Sequence, residues 1–218
     1  MTWSLNEIET LSRKAARGAG LSWGLAEEAG KAARWLSAAG LPGPQVLAEL
    51  LIRNDGADYE TLCPLEHSEG HWIATGGTLC PLISGATLCD SAARLASGDD
   101  LHLGRTACPV LLLPYLAAAV GMTGTRLTVT WNDVSITLDA ETHIGPHDPE
   151  ALNAAVVDSV HIARAETGEL TAPLTPGNRG EMPPETARQL TAFARRTYAP
   201  ATSESRLSGA GAGLTDND

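Results

Sequence analysis

Trp23, Glu27, Glu28 and Lys31 fall within nine residues of one another. An aromatic ring followed by two carboxylates and an ammonium at helical spacing could supply the wall and the polar contacts of a ligand site. Glu27 and Lys31 stand four apart, in the orientation that favours an ion pair on a helix. The competing account buries Trp23 in the core and leaves Glu27 and Lys31 as a surface pair worth about 0.3 kcal/mol. A second set lies at the other end of the chain, where Arg206 precedes a Gly/Ala run closing on Asp216, Asn217 and Asp218. These terminal acidic groups could hold a cation or meet an arginine pocket. The competing account is a loose terminus.

Three further chemistries are weighed. Cys63, His67 and His71 are spaced four apart and would line one face if their segment were helical, with His143 or His147 as a fourth ligand. Catalytic zinc takes three protein ligands and an open position. Gly70 argues instead for a turn, and no Cys-x2-Cys pair is present. The expectation is therefore no metal and no cofactor, with Cys63, His67 and His71 as the alternative. Cysteine nucleophiles are the second chemistry. Cys63, Cys80 and Cys108 each precede a proline, which favours extended backbone, but buried structural thiols explain them as well. Phosphate binding is the third. Gly209, Gly211 and Gly213 form a Gly-rich stretch, yet only five residues follow, too few for the helix that a dinucleotide fold requires.

The elements that must carry these groups are legible in parts. Ser4 and Glu7 form a capping box, with Trp3 and Ile8 at the staple positions, and Leu5, Ile8, Leu11 and Ala15 recur at helical spacing as far as Gly18. Ser22 caps a second helix with Leu25, Ala29, Ala32 or Ala33, and Leu36 inward, stopped by Gly40 and Pro42. A third begins near Pro44, buries Val46, Leu47, Leu50 and Leu51, and stops at Asn54. Between 58 and 105 the pattern loosens, with a helix expected over 86–96. The run from Val110 to Val120 reads as a buried helix kinked or started by Pro114. The period then changes to two: 125–131 and 134–138 read as a hairpin through Asn132 and Asp133. Leu127, Val129 and Trp131 are assigned to one face, and Val134, Ile136 and Leu138 to another. A short helix near 149–154, a strand over 156–165, a loop over 178–184 and an amphipathic helix over 184–198 complete the reading. The expected class is α+β: an N-terminal helical subdomain over about 1–56 packed on a small, mostly antiparallel sheet, one domain over 1–198, and a tail over 199–218.

Composition narrows the function classes. The chain has 218 residues, 43% of them hydrophobic, and a net charge of −11. That is enough apolar material for a core, and an acidic chain without a basic cluster disfavours nucleic acid. The longest apolar run is about half of what a bilayer crossing needs. Met1-Thr2-Trp3-Ser4 has no leader character, and the four cysteines stand without a secretory context. These features predict a cytoplasmic protein with no membrane span.

The segment Arg17-Gly18-Ala19-Gly20-Leu21-Ser22-Trp23-Gly24-Leu25-Ala26-Glu27-Glu28-Ala29-Gly30-Lys31-Ala32, together with the stretch from Ser205-Arg206-Leu207 to Asp218, resembles the signatures of a bacterial family of unknown function that carries a Ser-Trp-Gly motif. The resemblance implies no activity. Two function classes stay open: an accessory or binding subunit acting with a metabolic enzyme, and a small-molecule enzyme with its site between the entry to the second helix and the C-terminal tail. A protein partner or a homo-oligomer is the expected company.

Overall fold

A computed structural model describes residues 1–139, 142–144, 149–165 and 173–198. In chain order the elements are β1 (Thr2–Ser4), α1 (Leu5–Gly18), α2 (Trp23–Ala38), α3 (Gly43–Arg53), β2 (Leu65–Ser68), β3 (His71–Ile73), α4 (Pro81–Asp90), α5 (Ala92–Ser97) and β4 (Leu101–Leu103). There follow β5 (Thr106–Ala107), α6 (Leu113–Thr123), β6 (Leu127–Trp131), β7 (Val134–Leu138), β8 (Thr142–Ile144), α7 (Pro149–Leu152), β9 (Val156–Val157), β10 (Val160–Arg164), β11 (Arg179–Glu181) and α8 (Pro184–Arg195). The fold is α+β.

The first three helices start and stop where local chemistry dictates. The Ser4 hydroxyl accepts from the Glu7 amide at 3.3 Å, and the Glu7 carboxylate accepts from the Ser4 amide at 2.9 Å, so both orphan donors of the first turn are satisfied. The Ser22 hydroxyl accepts from the Leu25 amide at 3.3 Å and caps α2. Ala29, Ala32, Ala33 and Leu36 are buried along α2, as are Val46, Leu47, Leu50 and Leu51 along α3. The alanines let helix backbones approach, and α1 packs on α2 and on α8.

Among the described residues the main sheet has seven strands in the order β2-β3-β4-β10-β6-β7-β8. Every neighbouring pair is antiparallel except β3 with β4. One face carries Trp72, Leu101, Leu103, Val160, Ile162, Leu127, Val129, Trp131, Val134, Ile136 and Leu138, all buried. Helices α5 and α6 pack on this face, at β10 and β7 respectively, while α1, α2, α3 and α8 gather behind them. The hydrophobic core lies between the sheet and these helices.

Several details differ from the sequence reading. Leu127 pairs with Leu138, Val129 with Ile136 and Trp131 with Val134, so both strands of the hairpin turn their apolar residues to the same side. A directly opposite pair in an antiparallel ladder always shares a face. The expected helix over 86–96 begins earlier, at Pro81, and breaks at Ser91 into α4 and α5. The strand over 156–165 is interrupted between Val157 and Val160. The presumed loop near 180 contains β11, which pairs with β1 so that Trp3 faces Gly180. Cys108 is left-handed at φ 40° rather than extended, while Cys63 and Cys80 are extended. No described helix is long and apolar enough to cross a membrane.

Candidate functional site

Three charged residues meet at one end of the sheet because of strand register. Leu127 pairs with both Leu138 and Arg164, so Arg126, Asp139 and Arg164, each at or just beyond a strand end, are neighbours in space. Here the sheet runs out past α6 and leaves a cleft of about 1220 Å³. Trp35, Ala38 and Ala39 from the end of α2, with Pro114, Ala117 and Val120 of α6, supply its apolar wall. Arg126, Asp139 and Arg164 supply its charge.

The polar groups are arranged unequally. Arg126 donates to Asp139 at 3.1 Å, and the other Asp139 oxygen lies 3.2 Å from Nε2 of the buried His143. Arg164 is exposed and has no ion-pair partner among the described residues. The C-terminal end of α6 also reaches the cleft through Gly121 and Gly124, and it brings the negative end of the helix dipole. The cleft therefore offers a cation able to take an anion, the negative end of a helix able to favour N–H or O–H donors, and an apolar wall.

The residues singled out from sequence lie elsewhere. Trp23 is 68% exposed, not core, and the Arg17 guanidinium stacks 5.0 Å from its ring centre, a cation–π arrangement. Lys31 pairs with Glu28 at 2.7 Å rather than with Glu27. The Glu28 carboxylate beside it raises the Lys31 pKa. Trp23 and Trp35 are twelve residues apart on one helix, about 18 Å along its axis, so the entry to α2 and the cleft are separate places. Arg206, Asp216, Asn217 and Asp218 lie outside the described residues, as does His147.

Cys63, His67 and His71 do not share a helix face. His67 and His71 sit on the two strands of the β2–β3 hairpin, with a bulge at His67, and the Cys63 thiol donates to the Tyr59 carbonyl at 3.2 Å. Burial raises every thiol: Cys63 and Cys89 upward, Cys80 to about 11 and Cys108 to about 12. A cysteine nucleophile needs the opposite shift. The arrangement suits structural thiols, two of them, Cys80 and Cys108, buried.

Residues 3–80 match the model of the family described as "Protein of unknown function (DUF3726)". The Ser-Trp-Gly segment lies inside this DUF3726 match, and the resemblance to a family of unknown function stands. No curated protein matches the chain. Among solved structures, a dehydrogenase from Sinorhizobium meliloti is similar at a TM-score of 0.50 and 12% identity, over 90% of this chain and 94% of that one. A malate dehydrogenase from Entamoeba histolytica gives a TM-score of 0.43 at 12% identity, over 69% of this chain and 47% of that one. The chain thus spans about half the length of the Entamoeba enzyme. At such identity the Sinorhizobium likeness concerns the fold alone.

The cleft residues outside the DUF3726 match carried little sequence signal. Arg126 and Asp139 flank the two hairpin strands and so were bound to meet once the hairpin was recognised. Arg164 could be added only by knowing that β10 pairs with β6.

Proposed function

We propose that this protein binds a small organic acid bearing a hydroxyl or amino group, in the cleft between α2, α6 and the end of the sheet, and serves a metabolic enzyme as its binding partner. The observation that carries this reading is the cleft's Arg164, without an ion-pair partner among the described residues, beside the Arg126–Asp139 pair and facing an apolar wall. A guanidinium takes a carboxylate in a bidentate pair. The carbonyl end of α6 accepts the donor group of the same molecule, and Trp35 and the alanines cover its carbon skeleton.

A second reading has one specific support. Asp139 lines the cleft and holds His143 at 3.2 Å, the carboxylate–imidazole arrangement that fixes a ring for proton transfer. On that reading the same ligand is a substrate, Asp139 of the cleft lining moves its proton, and the buried His143 positions that carboxylate.

Thermal denaturation of the whole chain against a panel of hydroxy and amino acids, with simple monocarboxylates beside them, tests the proposal. A ligand present at a hundred times its Kd adds about 2.7 kcal/mol to stability. The expected result is a Tm rise with at least one acid that disappears in the Arg126→Ala/Arg164→Ala double variant. No shift with any acid, or an undiminished shift in the double variant, rejects the cleft as an acid site. Turnover of the bound acid that is lost in His143→Gln, with binding kept, would select the enzyme reading.

A further inference from the structure

On the face of the sheet away from the core, three histidines stand in a row across three adjacent strands. His71 of β3 pairs with His102 of β4, and His102 pairs with His161 of β10. Their side chains point outward because Trp72, Leu101, Leu103, Val160 and Ile162, the alternate residues, point into the core. The rings stack at 4.7 Å and 15° between His71 and His102, and at 4.4 Å and 13° between His102 and His161. Asp100, just before β4, places a carboxylate oxygen 3.2 Å from Nε2 of His161. One ligand atom from each of Asp100, His102 and His161 lies within 4.8 Å of the others.

We infer that Asp100, His102 and His161 form a binding site for a divalent transition ion of the zinc class, with the fourth position open to solvent. Two imidazoles and one carboxylate are the donor set such ions favour over magnesium or calcium, and three protein ligands with an open position is the pattern of reactive zinc centres. Tetrahedral coordination at zinc–nitrogen distances near 2.0–2.1 Å asks for donors roughly 3.3 Å apart. The side chains must close by about 1.5 Å at most, a movement that rotation of half-buried and exposed side chains supplies. His71 stands outside the set: its Nδ1 is 3.1 Å from the Glu69 carbonyl, and its ring stacks on the face of His102 away from His161.

The surroundings hold the ligands in place. Gly70 takes φ +72°, and a β-carbon there would come within 2.6 Å of the Asp100 carbonyl oxygen. The Gly70 carbonyl in turn accepts from the His102 amide at 2.7 Å. The β2–β3 turn is thus clamped to the start of β4, which fixes where Asp100 leaves the strand. Arg94 bridges Glu66 at 3.0 Å and Asp99 at 3.4 Å, so the neighbouring carboxylates are engaged and Asp100 is left to face His161. Stacking alone, as an ordinary cross-strand contact, explains the ring spacing but not the carboxylate held at the edge of the row. This site is separate from the cleft, with which it shares no lining residue.

The test uses the untagged chain, stripped with a chelator and titrated with zinc(II) alone by calorimetry and with cobalt(II) alone by visible spectroscopy. One equivalent of zinc and the intense visible bands of tetrahedral cobalt are expected. His102→Gln and His161→Gln should each lower the zinc affinity by at least tenfold, and Asp100→Asn by a smaller factor, while His71→Ala retains both affinity and spectrum. Circular dichroism identifies any variant that has failed to fold, and the wild-type cobalt spectrum is read independently of all variants. Absence of stoichiometric binding, a purely octahedral cobalt spectrum, or binding undiminished in folded His102→Gln/His161→Gln overturns the site. Loss of binding in folded His71→Ala overturns the ligand set.

Discussion

Gly18, the last residue of α1, lies with its Cα against the main-chain carbonyl of Phe193 in α8. A β-carbon at position 18 would overlap that oxygen. The obstacle is backbone, so no rotamer change relieves it, and the two helices must separate to admit even a methyl group. Gly18→Ala is expected to destabilise the fold by about 1–3 kcal/mol in urea denaturation. Gly24→Ala, in α2 with open space around it, is the control and should be stabilising by about 0.5 kcal/mol. Equal effects of the two substitutions would show that the close approach of α1 and α8 is not a determinant of stability.

Two buried aromatic residues make an opposite pair of predictions. The Trp131 indole N–H donates to the Ala151 carbonyl at 3.0 Å and ties the hairpin to α7. Trp131→Phe leaves that carbonyl with only the longer 3.4 Å bond from the Ala154 amide and a void beside it, at a cost of about 1–3 kcal/mol. The Tyr115 hydroxyl is buried with no hydrogen-bond partner among the described residues. Removing an unpartnered polar group removes a desolvation penalty, so Tyr115→Phe should raise stability by about 1 kcal/mol. A fall in stability on Tyr115→Phe would reveal a partner for the hydroxyl.

What the sequence disclosed and what it concealed follow one physical division. Ser4 with Glu7, Ser22, Gly40 and Asn54 act within four residues of themselves, and each marked its helix end correctly. The run from Val110 to Val120 and the alternation around Asn132 were equally local, because burial period is written into consecutive residues. Strand pairing is not local. Nothing in the text of the chain sets His71 beside His102 and His161, or Arg164 beside Arg126; register does. The three-residue strands β1 and β11 are too short to show any period. For Trp23 the burial account fails, since the ring is 68% exposed with the Arg17 guanidinium 5.0 Å from its centre.

The Arg126–Asp139 pair makes the cleft's charge adjustable. With Asp139 bound to Arg126 at 3.1 Å, part of the guanidinium's capacity is already occupied. Asp139→Asn removes the competing carboxylate, so an organic acid should bind three- to tenfold more tightly, where tenfold corresponds to 1.4 kcal/mol. Arg164→Ala should weaken the same acid by tenfold or more. Both changes should shrink with added salt, since Arg164 is exposed and its field is screened. Calorimetric titration of the two variants checks the directions, and tighter binding in Arg164→Ala would contradict the assignment.

Alkaline pH should unfold this protein earlier than its surface charge alone suggests. Burial pushes the Cys80 thiol from 9.0 to about 11 and the Cys108 thiol from 9.0 to about 12. Burial raises the phenols of Tyr59 and Tyr115 as well. Between the unfolded and folded values of each thiol the native state holds a proton that the unfolded chain has lost. The native state therefore binds more protons, and stability falls as pH rises. The stabilisation is fully present below pH 9 and is lost through the window from 9 to about 11 for Cys80 and to about 12 for Cys108. Each thiol contributes a slope of about 1.4 kcal/mol per pH unit within its window. Urea denaturation at pH 7, 9 and 10.5 is expected to show a flat first interval and a steep second one. The Cys80→Ala/Cys108→Ala double variant starts from lower stability, because two buried side chains are truncated, but its second interval should be shallower by the thiols' share. A double variant that loses stability as steeply as the wild type would place the alkaline sensitivity on the phenols instead.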